Sequence, residues 1–336
     1  MDPLQVGLAG YGTSGSIFHA PLIAAEKRPR LAAVMTTRRE KVDREIPGVR
    51  VVSTLRELVE DRELDLIVAA TPTATHHDVA RTALLAGKHV VVDKPITTTV
   101  EEADELIELA LKRGLLLSVY QNRRWDGDFQ TVKKLISGGQ LGTIFQYEAH
   151  YDRFRPRMKG GWREQDLPGS GILYDLGSHL IDQAVQLFGP LEVAMADVFR
   201  QRDNSTAEDY FHVVLKKDRL RAIVHGSMFV LDPGPHFSVY GDAGSFLKYG
   251  MDPQEDQLRA GLRPGDPGWG LDAADRAGTL TLADGSRQTI ATERGAWESF
   301  YRGIADALTG AGKNPVDPMD ARNVIALIEA AAKVCG

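Results

Sequence analysis

Two short stretches of this chain hold residue types and spacings that can do chemistry. In the first, Gly10-x-Gly12-x-x-Gly15 follows the apolar run Val6-Gly7-Leu8-Ala9 and precedes an amphipathic segment from Ser16 through Ala25. Strand, glycine turn and helix in that order suit a pyrophosphate. Gly10 permits a tight turn, Gly12 lets backbone amides approach the phosphates, and Gly15 lets the helix pack close to the strand. The helix N-terminus beside them favours negative charge, so Gly10, Tyr11, Gly12, Thr13, Ser14 and Gly15 form the expected contact set. In the second stretch, Gly169-Ser170-Gly171-Ile172-Leu173-Tyr174-Asp175-Leu176-Gly177-Ser178-His179 leads into a segment with apolar Leu180, Ile181, Ala184, Val185 and Leu187. Asp175 and His179 are four apart and share a face if both are helical. A histidine titrates near neutrality and suits proton transfer; read structurally instead, Asp175 caps the helix and His179 packs in it.

Two strand ends add to this list. The run Arg30–Met35 reads as a second strand ending in Thr36-Thr37-Arg38-Arg39, with no acid before Glu40. NAD sites usually carry Asp or Glu there for the ribose 2′-hydroxyl; a carboxylate would repel a 2′-phosphate, which hydroxyls and an arginine bind. Thr36, Thr37 and Arg38 therefore point to NADP rather than NAD, the plain alternative being a solvated basic turn. Further on, Asp93-Lys94-Pro95 ends the strand His89–Val92, at the sheet edge where open α/β folds bind ligands. Thr71 and Pro72 end the strand from Leu64 to Ala70, and His76 and His77 open the helix that follows. Adjacent histidines point about 100° apart on a helix and have no partner at ligand spacing, so no metal site is expected.

These residues need elements to hold them, and 336 residues suit two domains. Hydrophobic residues at 43% and charged residues at 26% support a folded core and argue against disorder. The net charge of −6 argues against nucleic acid as a partner. A lone Cys335 offers no intrachain disulfide or zinc cluster and fits a reducing cytoplasm. Met1-Asp2-Pro3 leads directly into the first strand without a secretory leader, and no apolar run is long enough to cross a membrane, so a soluble cytoplasmic protein is expected.

Up to Tyr120 the chain alternates strands and helices: short strand Val51-Val52, helix Leu55–Glu60, helix His76–Ala86, helix Val100–Arg113 and strand Leu115–Tyr120 join those above. Right-handed crossovers turn this alternation into a doubly wound parallel sheet. Beyond Tyr120 the pattern changes. A helix, Asp128–Ser137, is followed by strands Thr143–Asp152, Leu191–Arg200, Glu208–Lys216, Leu220–Leu231 and Phe237–Tyr240, which predict a large, open, mostly antiparallel sheet. The stretch Asp252–Asp275 reads as a surface loop, and helices return at Ala296–Leu308 and Asp320–Val334. The expected division is a dinucleotide-binding Rossmann domain over 1–120 and an α+β substrate and oligomerisation domain over 121–336, with helix 320–334 packing back on the first. Gln121-Asn122-Arg123-Arg124-Trp125 falls at that junction. Apolar residues on both faces of Tyr210–Leu215 and Leu220–His225 call for a second copy of the chain over the face that helices leave open.

The combination of Gly10-x-Gly12-x-x-Gly15, Asp93-Lys94-Pro95 in place of a commoner Glu-Lys-Pro, and Gly169-x-Gly171-x-x-x-Asp175-x-Gly177-x-His179 resembles the glucose-fructose oxidoreductase and inositol dehydrogenase (Gfo/Idh/MocA) family over essentially the whole chain. Phe18-His19-Ala20-Pro21-Leu22-Ile23, Asn122-Arg123-Arg124-Trp125-Asp126, Asp152-Arg153-Phe154-Arg155-Pro156 and Asp252-Pro253-Gln254-Glu255 resemble its NADP-dependent scyllo-inositol dehydrogenase subgroup. The resemblance implies a dehydrogenase or reductase of a cyclitol, sugar or related polyol, a sheet-face dimer or larger homo-oligomer, and catalysis by Lys94, Asp175 and His179. Which of the three takes the proton is open. Asp182, one turn beyond His179, holds its ring or faces solvent. Tyr120, Asn122, Arg123, Tyr151, Arg153, Arg155 and Trp162 supply directional groups for hydroxyls, and Lys94, Thr71, Pro72 and His76 flank the cofactor. Two other readings compete: a glycosidase that uses bound NAD for transient oxidation, and a non-catalytic cofactor-binding regulator.

Overall fold

A computed structural model describes residues 3–335, without the side chain of Cys335; the expectations resting on Met1-Asp2 and on that cysteine lie outside the described residues. Contacts divide the chain into two compact units. The first gathers residues through Asn122 with Glu255–Trp269 and Trp297–Asn323; the second gathers Arg123–Gln254, Gly270–Ala296 and the residues from Val324 on.

In the first unit, β1 (Leu4–Ala9), β2 (Pro29–Met35), β3 (Arg50–Val52), β4 (Leu66–Ala69), β5 (His89–Asp93) and β6 (Leu117–Tyr120) pair in parallel in the order β3-β2-β1-β4-β5-β6. Helices α1 (Ala20–Ala25), α2 (Arg39–Glu45), α3 (Leu55–Val59), α4 (His76–Leu85) and α5 (Val100–Arg113) make the crossovers. Strand order reverses between β1 and β4, which opens a crevice at their carboxyl ends. Apolar runs with helices on both faces leave no alternation to keep, and every residue of β4 is buried. Each Val or Ile so buried contributes about 1.5–3 kcal/mol. Helix α5 is set by a capping box, in which Thr99 accepts from the Glu102 amide and Glu102 returns the bond, and it ends at Gly114 with φ 64°. The helix expected from Ser16 begins earlier, as a wide turn over Ser14–His19 in which the Ala20 amide reaches back to the Gly15 carbonyl.

In the second unit, α6 (Gly127–Ser137), β7 (Ile144–Asp152), α7 (Ser178–Phe188), β8 (Glu192–Phe199), β9 (Tyr210–Lys217), β10 (Leu220–Ser227), β11 (Phe237–Gly241), β12 (Gly244–Lys248), β13 (Gly278–Leu282) and β14 (Arg287–Ile290) follow one another. Their sheet runs β14-β13-β12-β11-β7-β10-β9-β8 and is antiparallel except where β10 lies parallel to β7. That pair is parallel because the chain crosses over through α7 before returning. Tyr147, Ala149 and Tyr151 of β7 and Phe211, Val213 and Leu215 of β9 point inward against Phe129 of α6 and Leu180, Ile181 and Ala184 of α7. The outward positions are mixed: Val214 and Ile223 are half-buried there, and Met195 and Phe199 are exposed.

The last helices are α8 (Gln254–Arg259), α9 (Glu298–Leu308) and α10 (Pro318–Cys335). Residues 320–323 of α10 group with the first unit, whereas its Val324, Leu327, Ile328 and Ala331 pack in the core of the second. The surface loop expected over Asp252–Asp275 is corrected: α8 lies within it, and Trp269, Gln254, Leu258 and Asp252 are buried. Its polarity misled because this burial rests on hydrogen bonds, with Asp252 accepting from Gly127 N at 2.7 Å and Trp269 donating to Glu298 at 2.9 Å. Strands β12 to β14 were also not anticipated, and β10 ends at Ser227 rather than Leu231. No helix among the described residues is long and apolar enough to cross a membrane.

Candidate active site

The glycine turn closes the carboxyl end of β1. Gly10 adopts φ 103°, and a Cβ there would stand 2.5 Å from the Ala70 carbonyl oxygen. At Gly15 a Cβ would overlap the Gly10 carbonyl, whereas at Gly12 it would meet nothing within 4 Å. Two glycines thus fit the chain to itself, and the middle one leaves its front open. Those are the features of a pyrophosphate cradle, and the residues fit a dinucleotide.

At the end of β2, Thr36 Oγ1 accepts from the Arg38 amide at 3.1 Å, which shapes the turn and leaves Thr37 and Arg38 exposed. Arg39 instead donates to the Val51 carbonyl at 3.0 Å, a structural use. Lys41, which sequence reasoning missed, lies one turn into α2; its Nζ donates to Ser16 Oγ at 2.8 Å and stands 5.2 Å from the Tyr11 ring centroid. Its place in the first turn of the helix that follows Thr37-Arg38 was the available signal.

The loops after β4 and β5 meet through His76. Its Nδ1 lies 2.7 Å from the Pro95 carbonyl oxygen and its Nε2 2.9 Å from that of Thr71, and burial pulls its pKa down against the charge of Asp93. His77 instead reaches Glu105 at the surface, 2.9 Å away. The Lys94–Pro95 peptide is cis, and the Lys94 amide donates to Asp93 Oδ1 at 2.8 Å. Asp93 is thereby occupied in placing Lys94. Burial works against its charge, but His19, 3.8 Å away, and His76 hold its carboxyl well below the usual range. His19 in turn contacts Tyr301 Oη at 2.6 Å and packs 4.4 Å from the Tyr120 ring. Tyr120 and Asn122 are both buried in this unit, Tyr120 against Phe300 and Tyr301. His19 and Tyr301 are far apart in sequence, and only the fold reveals their link to the lysine.

In the second unit, Asp175 and His179 straddle a second wide turn. Leu173–Gly177 turns with the Ser178 amide donating to the Leu173 carbonyl, and α7 follows. Asp175 accepts from Arg163 Nε at 3.0 Å and remains partly open to solvent, while His179 is buried. Asp182 does not face solvent: its two oxygens accept from Arg124 at 2.8 and 2.7 Å in a buried pair. Glu208 was also missed. Its carboxylate lies where a Cβ of Gly171 (φ 81°) would stand, it accepts from the Leu173 amide, and burial pushes its pKa up to about 7.

The expected hydroxyl-binding residues of this unit divide. The Tyr151 ring is buried between two guanidinium groups, Arg123 at 5.3 Å and Arg153 at 5.2 Å. Arg123 also donates to Asp126 at 3.1 Å. Trp162 carries Arg163 over its ring at 4.4 Å, beside Asp175. Arg155 is exposed, and its amide pairs with Met228. Asp128 of α6 and Asp252 are buried, and burial raises both carboxyl pKa values, with Asp272 adding to the rise at Asp128 and Asp128 to that at Asp252.

Comparison with known proteins agrees with these features. Residues 4–121 match the model of an oxidoreductase family's NAD-binding Rossmann fold, and residues 133–335 match that of the same family's C-terminal alpha/beta domain. The chain is 43% identical over 334 residues to scyllo-inositol 2-dehydrogenase (NADP(+)) of Bacillus subtilis, covering 98% of this chain and 93% of that protein. It is 46% identical over 332 residues to the Escherichia coli oxidoreductase YdgJ, covering 98% and 95%. The solved oxidoreductase yvaA of Bacillus subtilis superposes with a TM-score of 0.97 at 42% identity, covering 99% and 96%.

Proposed function

Because the chain belongs to the Gfo/Idh/MocA oxidoreductase family, we propose that it is an NADP-dependent dehydrogenase or reductase of a cyclitol, sugar or related polyol, with a scyllo-inositol-type substrate foremost. It interconverts a secondary alcohol and a ketone, or an aldose and a lactone. The observation that carries the NADP reading is the exposed Thr37-Arg38 turn, free of any acid, at the end of β2. Lys41 adds a second cation on the neighbouring helix, and a relative of nearly the same length is named for NADP.

The dinucleotide, held by Gly10–Gly15, Thr36, Thr37 and Arg38 and flanked by Thr71, Pro72 and His76, supplies the hydride acceptor and donor. The chain's own residues handle the proton. His179 takes it from the substrate hydroxyl, since a base titrating near neutrality is matched to that transfer. Lys94 stabilises the developing alkoxide, and its backbone is fixed by Asp93. Asp175, steadied by Arg163, orients the reacting hydroxyl. Tyr120, Asn122, Arg123, Tyr151, Arg153, Arg155 and Trp162 provide hydroxyl recognition, which needs paired donors and acceptors rather than an apolar pocket. A second copy covers the outward face of the eight-stranded sheet; a monomer by light scattering at micromolar concentration would remove that part.

The test is a screen of NADP+ and NAD+ against inositols, aldoses and ketoses, followed at the nicotinamide absorbance band. Reduction of NADP+ by a polyol, with NAD+ much poorer, is the expected result. A preference for NAD+, or no turnover with any polyol, overturns the reading.

A further inference from the structure

Three histidines stand side by side on the outward face of the second sheet. His150 on β7 is paired in register with His225 on β10, and His225 with His212 on β9. Asp152, two residues beyond His150 on the same strand, points to the same side. Its Oδ2 lies 3.4 Å from His150 Nδ1 and its Oδ1 lies 3.3 Å from His225 Nε2. One ligand atom from each of the three side chains falls within 4.8 Å of the other two.

A tetrahedral ion about 2.0–2.1 Å from its nitrogen and oxygen ligands holds them about 3.3–3.4 Å apart. The two short distances here run to different oxygens of Asp152, so binding would draw one of those oxygens toward both rings. Asp152 Oδ1 is buried and receives no hydrogen bond among the described residues, although His225 Nε2 is so near. That buried carboxylate oxygen therefore keeps its ligand capacity. The outer shell fits as well: His150 Nε2 lies 3.4 Å from Glu148 Oε2, and Gln146 donates to the other oxygen of that carboxylate. A carboxylate behind a histidine fixes its tautomer and raises its basicity as a ligand.

We propose that His150, Asp152 and His225 form a binding site for a divalent transition-metal ion of the zinc class, with a fourth position left to water or an added ligand. Two imidazoles select zinc, cobalt or nickel over magnesium and calcium, which prefer all-oxygen sites. The site shares no residue with the Lys94, Asp175 and His179 set.

The test uses the full chain, treated with a chelator and desalted, then titrated with Co2+ by visible absorption and with Zn2+ against a chromophoric chelator. One saturable equivalent per chain is expected, with the intense cobalt bands of a four- or five-coordinate ion. His225→Gln and Asp152→Asn should each abolish that equivalent, and Glu148→Gln should weaken it about 10- to 100-fold. In the wild-type chain, native mass spectrometry should also show one Zn2+ per chain retained after desalting, a readout that needs no variant to fold. Absence of a saturable equivalent, equal binding by folded His225→Gln, or no Zn2+ retained by the wild-type chain overturns the proposal.

Discussion

The two units open their working helices by the same device and put it to opposite uses. Ser14–His19 and Leu173–Gly177 are both wide turns, reached through glycines at positive φ, Gly10 in one and Gly169 and Gly171 in the other. Such a turn leaves backbone amides facing outward at its start, and something must meet them. At the first turn the space before Gly12 is open, so an anion from outside can meet them. At the second, the chain's own Glu208 carboxylate occupies that place. On the proposed function, the first turn binds through its backbone and the second acts through its side chains, Asp175 and His179.

The comparison breaks most severely at His179. His179→Ala is expected to lower turnover about 10²- to 10⁴-fold with cofactor binding and folding intact. Lys94→Ala should behave alike, and the double variant should lose far less than the product of the two, because groups acting on one proton transfer work as a unit. A lower melting temperature with normal turnover per folded molecule would return His179 to a packing role. Next come the glycines. Gly15→Ala drives a methyl into the Gly10 carbonyl and should cost about 1–3 kcal/mol of stability by thermal unfolding. Gly12→Ala should leave the melting temperature unchanged yet weaken the dinucleotide at least about tenfold in a fluorescence titration, since only a bound phosphate would meet its methyl. Equal melting losses for the two would erase the distinction between fitting and binding glycines.

Arg38→Ala sharpens the chemistry of the first turn. It should weaken NADP by about 1–3 kcal/mol and leave NAD nearly unchanged. Equal losses for both cofactors would refute the 2′-phosphate assignment. The last change concerns the internal carboxyl group. With its pKa raised to about 7 in the fold, Glu208 holds a proton between pH about 4.5 and 7 that the unfolded chain has released. Stability therefore falls as pH rises through that window, by up to about 1.4 kcal/mol per unit from this group. Glu208→Gln, which keeps an acceptor for the Leu173 amide, should flatten the slope in denaturant unfolding; an unchanged slope would mean that Glu208 is charged throughout.

What could be read beforehand follows from how local each feature is. The first turn was legible because strand, glycines and helix are contiguous, and the parallel strands because two covered faces demand unbroken apolar runs such as Leu66–Ala69. Asp175 and His179 were legible as a spacing, but their wide turn was not, since a ring of bonds one residue larger leaves no mark in the side-chain pattern. Strand β12 was missed because Gly244-Ser245 opens it, and glycine and serine also signal turns. Glu208 and Lys41 were missed, and His19 and Asp252 were named within motifs but given no role, for a common reason: each acts through partners brought close only by folding.

His76 places one ring nitrogen before each of two carbonyl oxygens, and a neutral imidazole carries a single N–H. With burial favouring that neutral form, the ring grips either the Thr71 loop or the Pro95 loop at a given moment, never both. Moving one proton from Nδ1 to Nε2 transfers its hold from one loop to the other without turning the ring. His76 therefore ties the two loops together through one proton: the carbonyl that faces the N–H is held, and the other faces a lone pair.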